Sequence, residues 1–126
     1  PGQNYGWPVV SDGRYYSGTK VSPVPFKDGM TRPHISYVPS IAPGGLLFYT
    51  GDKFPEWKGN VFAGGMVGEQ LVRLTIDGRR VLNEEKLAQR MGRIRDVRQG
   101  PDGFIYLAIE DRQGTPTAIW RLEPAN

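Results

Sequence analysis

Apolar residues in this chain come in short bursts separated by turn residues, and the bursts repeat. Gly59-Asn60-Val61-Phe62-Ala63 is followed by Gln70-Leu71-Val72-Arg73-Leu74-Thr75-Ile76. Further on, Gly103-Phe104-Ile105-Tyr106-Leu107 is followed by Ala118-Ile119-Trp120-Arg121-Leu122. Leu71–Leu74 and Ile119–Leu122 lie 48 positions apart, and Val61 and Phe104 lie 43 apart. One more burst precedes each copy: Leu46–Thr50 before the first, and Arg93–Gln99 before the second. Each unit reads as strand, turn, strand, turn, strand. A period in the forties is that of the four-stranded blades of a β-propeller. Antiparallel strands are therefore predicted over Leu46–Thr50, Val61–Gly64, Gln70–Ile76, Ile94–Gln99, Phe104–Ile109 and Ala118–Leu122.

The turns agree. Gly100-Pro101-Asp102-Gly103 supplies a preset φ and a positive φ for a tight reversal, and Asp77-Gly78 supplies another. Asn83–Arg90 has helical propensity, but an eight-residue helix is marginal without packing, so it is read as the outermost strand of its blade. Residues 9–40 show no sustained periodicity and read as a long irregular connection. The expected organisation is all-β, with residues 1–40 as lead-in, 41–90 as the penultimate blade and 91–126 as an incomplete last blade. A closed propeller needs at least four blades, or roughly 160 residues. The 126 residues are thus read as a piece that sits against the rest of a propeller, or against another copy of itself.

Composition narrows the chemistry. Seventeen Gly and 11 Pro with 38% apolar residues suit short strands joined by many turns. No run approaches the ~18 apolar residues of a membrane span. The absence of Cys excludes disulfides, thiolate metal sites and a cysteine nucleophile within these residues, and fits an exported protein. The single His, His34, lies in a Pro-flanked loop and reads as structural or solvated rather than catalytic. A net charge of +3 is mild. Arg90, Arg93, Arg95 and Arg98 cluster, yet no nucleic-acid-binding motif accompanies them, so a nucleic-acid partner is not expected.

Four motifs occur in order: Asn4-Tyr5-Gly6-Trp7-Pro8; Ser40-Ile41-Ala42-Pro43-Gly44-Gly45; Phe48-Tyr49-Thr50-Gly51-Asp52-Lys53-Phe54; and Arg93-Ile94-Arg95-Asp96-Val97-Arg98-Gln99-Gly100-Pro101-Asp102-Gly103. Together they resemble the C-terminal part of the soluble PQQ-dependent glucose/sorbosone (aldose sugar) dehydrogenases. The resemblance implies a segment of a six-bladed propeller, periplasmic or secreted. It also implies oxidation of the C1 hydroxyl of an aldose to a lactone, with pyrroloquinoline quinone (PQQ) and calcium as cofactors. The general base would come from an earlier blade, so no catalytic residue is expected here.

Positions i and i+2 of a strand share a face, so Arg93 and Arg95 are expected to point together while Arg98 points away. Two guanidiniums one step apart suit a compact polycarboxylate. The resemblance assigns Arg93 and Arg95 to the carboxylates of PQQ. It further implies that Glu110 stands in for a family Asp near the cofactor, that the carbonyl near Tyr5 contacts calcium, and that Val67 stands where relatives often carry a Lys. The alternative function is a non-catalytic propeller segment used as a binding module.

Overall fold

The computed structural model describes residues 1–125 and divides into two units, Pro1–Ser40 and the residues from Ile41 onward. The first unit is built from turns with one isolated antiparallel bridge, Arg14 to Lys20. Its ties are local. Ser22 is buried and its hydroxyl donates to the Val9 carbonyl at 2.7 Å, while the Thr31 amide donates to the Asn4 carbonyl at 2.8 Å.

The second unit is all strand apart from one turn of 3₁₀ helix, Pro55–Trp57. Strands β1 (Pro43–Phe48), β2 (Val61–Gly65), β3 (Gln70–Asp77) and β4 (Arg80–Leu87) form one antiparallel sheet in that order. Strands β5 (Arg93–Gln99), β6 (Ile105–Glu110) and β7 (Ile119–Leu122) form a second, three-stranded one. These are two successive blades of a propeller, one complete and one with three strands among the described residues. No helix among those residues is long and apolar enough to cross a membrane.

The strands follow the reading of the sequence, with shifts that have physical reasons. β1 begins earlier than expected, at Pro43, and stops at Phe48. Beyond it the regular register ends: the Tyr49 amide donates to the Asn60 carbonyl at 3.0 Å and the Tyr49 carbonyl accepts from the Gly59 amide at 2.8 Å. The fully buried Tyr49 ring carries a hydroxyl that donates to the Gly103 carbonyl at 2.7 Å and accepts from the Phe54 amide at 3.2 Å. The segment with helical propensity is strand in Asn83–Leu87. There Glu85 lies opposite Arg73, and the two carboxylate and guanidinium groups meet at 2.6 Å. Cross-strand pairing overrides local preference.

The core lies between the blades. Phe62 and Leu71 of the first face Ile94, Val97, Ile105, Leu107 and Ile109 of the second, with Tyr49 and Phe54 alongside. Along β6 burial alternates strictly, residues 105, 107 and 109 inward and 106, 108 and 110 half-exposed. Each fully buried aliphatic side chain is worth about 1.5–3 kcal/mol. In β5 the buried residues, Ile94 and Val97, are three apart instead of two. The pairing register slips between Ile94 and Asp96, leaving Arg95 as the extra residue of a bulge. Opposite this bulge β1 carries Gly44 and Gly45. A Cβ on Gly44 would lie 2.7 Å from the carbonyl oxygens of both Ile94 and Arg95, and one on Gly45 would lie 2.8 Å from the Val97 amide. Only glycine lets the two innermost strands come this close.

Candidate functional site

Both blades present the same end for one group of loops. The starts of β1, β3, β5 and β7 and the ends of β2, β4 and β6 lie together, which gathers Ala42, residues 66–69, residues 88–92 and residues 111–118. All four non-glycine residues with positive φ among the described residues sit in this group: Ala42 at 48°, Glu69 at 48°, Ala88 at 46° and Arg90 at 63°. Such backbone is sparsely populated by L-residues and gathers at functional sites. Hydrogen bonds lock these loops together. The Met66 amide donates to the Ala42 carbonyl at 3.1 Å and the Arg90 amide to the Glu69 carbonyl at 2.8 Å.

Arg93 opens β5 at this end, directly opposite Glu110, the last residue of β6. Arg95 reaches the same carboxylate from the bulge. Glu110 Oε2 lies 3.9 Å from Arg93 Nη1 and 3.3 Å from Arg95 Nη1. The atom is buried, and no hydrogen bond reaches it. A thioether completes the cluster: Met66 Sδ is 3.0 Å from Arg95 Nη1 and 4.0 Å from Arg93 Nη2. Both guanidiniums are partly open to solvent, with side chains 38% and 52% exposed.

The expected convergence of Arg93 and Arg95 is there, but not by simple alternation. Because of the bulge, Arg98 lies opposite Tyr106, which shares a face of β6 with Glu110. Arg98 therefore shares the ladder face of Arg93, contrary to the parity expectation. It is separate for other reasons: it stands near the far end of β5, about 13–16 Å along the strand, and its Nε donates to Asp96 at 2.9 Å.

Three residues escaped the sequence reading: Met66, Glu69 and Arg112. The loop position compared with a family Lys was Val67, whose side chain is exposed, whereas its neighbour Met66 is the one against the arginines. The signal was present, a polarisable side chain beside the compared position, but the turn geometry that selects it was not. Glu69 and Arg112 are 43 residues apart, and their charged groups meet at 2.6 Å, tying the β2–β3 turn to the β6–β7 loop. They border a cavity of about 400 Å³ with Arg90, Met91 and Asp111. Asp111 is held below the usual carboxylate range by the hydroxyl of Thr115 and the amide of Gln113.

The donor set at Arg93 and Arg95 fits a polycarboxylate. Two positive groups face one negative group, and one nitrogen of each fork rests on a sulfur, which is a weak acceptor. Tyr5 lies in the first unit, where it borders a cavity of about 290 Å³ with Trp7, Asp12 and Arg32. Among the described residues no three His, Cys, Asp or Glu side chains gather closely enough to hold a metal ion. These are side-chain ligands, whereas the calcium contact implied by the resemblance is a backbone carbonyl near Tyr5. His34 is exposed in the same unit.

Comparison with known proteins places the chain. The family model described as "Glucose / Sorbosone dehydrogenase" matches residues 1–121. The aldose sugar dehydrogenase YliI of Escherichia coli is 35% identical over 128 residues, which is 99% of this chain and 34% of that protein. An uncharacterized protein of Synechocystis sp. is 42% identical over 114 residues, 90% of this chain and 28% of its own length. The crystal structure of a glucose dehydrogenase superposes with a TM-score of 0.81 at 39% identity, covering 89% of this chain and 33% of that one. The chain spans about a third of the length of these relatives. With a family match over nearly all its residues, the chain belongs to the glucose/sorbosone dehydrogenase family.

Proposed function

We propose that these residues are part of a PQQ-dependent dehydrogenase that oxidises the C1 hydroxyl of aldoses to lactones, and that Arg93 and Arg95 hold carboxylates of the quinone. The observation that carries this reading is the convergence of the two guanidiniums on one point with their donors largely uncommitted. The family membership supports it. When bound, the quinone is the two-electron acceptor, and the redox chemistry is the cofactor's own. The task of this segment is positioning. Arg93 is fixed by its place opposite Glu110 in the ladder, Arg95 by the bulge, and the bulge by the glycines of β1 packed against it. Loops locked by backbone hydrogen bonds keep that end of the blades rigid, which is what a pre-organised anion site requires. The general base belongs outside these residues. The proposal includes a periplasmic or secreted location, to be checked by cell fractionation.

A second reading, a propeller that binds without catalysing, draws support from the apolar Met66-Val67 pair at the loop where relatives often carry a Lys. Titration of the full-length protein with PQQ separates the two. A charge-assisted contact is worth about 1.5–3 kcal/mol, so Arg93→Ala and Arg95→Ala are each expected to weaken PQQ binding about 10- to 150-fold. Arg98→Ala should leave it nearly unchanged. Equal small losses at all three positions would mean diffuse electrostatics and no clamp. A parent protein that never binds PQQ would leave the binding propeller as the surviving reading.

A further inference from the structure

Resting on the clamp reading above, we infer that Glu110 is a specificity-determining counter-ion: it holds the two guanidiniums side by side and makes the site refuse ligands that bring a single carboxylate. The argument starts from an anomaly of geometry. Three other acid–base pairs of the fold are close and hydrogen-bonded, Arg73 to Glu85 at 2.6 Å, Arg112 to Glu69 at 2.6 Å, and Arg98 to Asp96 at 2.9 Å, whereas the loose pair Arg80 to Asp77 at 3.7 Å stands in open solvent. Glu110 instead stands 3.3 and 3.9 Å from its two partners, and its buried Oε2 receives no hydrogen bond. It neutralises charge without tying up donors.

Two like charges this close repel, and an interposed carboxylate relieves that repulsion. The arrangement leaves one net positive charge for two forks. An incoming monocarboxylate finds half of the positive charge already neutralised and meets the repulsion of the internal carboxylate. It gains little by binding. A rigid ligand with two or three carboxylates engages both open forks at once, and that larger gain outweighs the same repulsion. The distinction has a use in a sugar dehydrogenase. Lactones hydrolyse to sugar acids, which are monocarboxylates that accumulate around the enzyme, and Glu110 would keep them off the arginines.

The test is calorimetric titration of the full-length apoprotein with gluconate and, separately, with PQQ, using the parent, Glu110→Gln and Glu110→Asp. Removing the internal charge is expected to tighten gluconate binding at least about tenfold and to make it fall more steeply with salt. PQQ affinity should change less, so the preference for PQQ over gluconate shrinks. Glu110→Asp keeps the charge and should stay within about threefold of the parent preference, an outcome that a purely structural role for the side chain would not give. If Glu110→Gln does not fold by circular dichroism, Glu110→Ala carries the same expectation. Unchanged or weaker gluconate binding in a folded Glu110→Gln or Glu110→Ala protein overturns the inference, and with a parent that binds PQQ it leaves the clamp intact. A parent that fails to bind PQQ while the neutral variant gains gluconate removes the cofactor reading, yet keeps the filter for another polycarboxylate. Failure of every variant to bind either probe overturns both.

Discussion

Tyr106 donates its hydroxyl to Asp102 across a tight turn at 2.6 Å, and this one bond moves both partners. Asp102 is held below the usual carboxylate value chiefly by that bond, and Tyr106 is pushed above the usual phenol value by the same contact. The two effects act in different pH windows. Asp102 gives up its proton more readily when folded, so its stabilisation is full above the ordinary carboxylate value of about 3.9 and is lost as pH falls through the folded value. Tyr106 keeps its proton more firmly when folded. Its stabilisation is full below about 10 and is lost as pH rises through the folded value. Tyr106→Phe should remove both. Melting temperature recorded across pH in the full-length protein should show parent and variant converging at the acid and alkaline extremes and separated between them. A constant separation at every pH would contradict the assignment. Met66 teaches a related lesson at this scale: which of two neighbouring loop side chains meets the arginines depends on a turn whose geometry is not written in residue type.

Strands and their turns were legible in the sequence because periodicity and punctuation are local. β2, β3, β5 and β6 fall within a residue or two of where alternation puts them. β4 was legible through context, since its own propensity is helical and only the repeat demanded a strand. The bulge in β5 was not legible. It depends on how β1 packs against β5, two elements some 50 positions apart, and it reverses the parity of every residue beyond Arg95. The fold brings Arg93, Arg95 and Glu110 together at one end, and it sets Arg98 aside for a reason other than the expected parity. The packing that creates the bulge can be probed. Gly44→Ala puts a Cβ 2.7 Å from two backbone carbonyl oxygens, which cannot rotate away as a side chain would. It should destabilise the full-length protein by about 1–3 kcal/mol in urea unfolding, the usual range for overpacking. Because the obstruction falls on the Ile94–Arg95 backbone, PQQ affinity should drop as well, although Gly44 contributes no side chain. A variant with parent stability would mean that β1 and β5 are free to slide apart.

At the scale of the molecule, the two blades bury one core between them and leave other surfaces open. Leu46 and Phe48 project from the same face of β1 and are 61% and 59% exposed, while Ile119 and Trp120 on the outermost described strand of the second blade are 65% and 46% exposed. Open apolar faces and free sheet edges recruit partners. The 126 residues expressed alone should self-associate, as sedimentation velocity at micromolar concentration would show, and co-expression with the remainder of the longer protein should suppress it. A dilute monomer with a cooperative melt would contradict this. The gathering of strained backbone at one end of the blades also gives the molecule a front and a back. The back carries the two-residue β3–β4 hairpin, Gly78-Arg79, open to solvent on all sides. Within these 126 residues there is no cysteine to compete for a thiol reagent. A cysteine introduced at Arg79 would accept a single dye, bead or electrode linker, and immobilisation through it would leave the arginine end turned outward toward the solution.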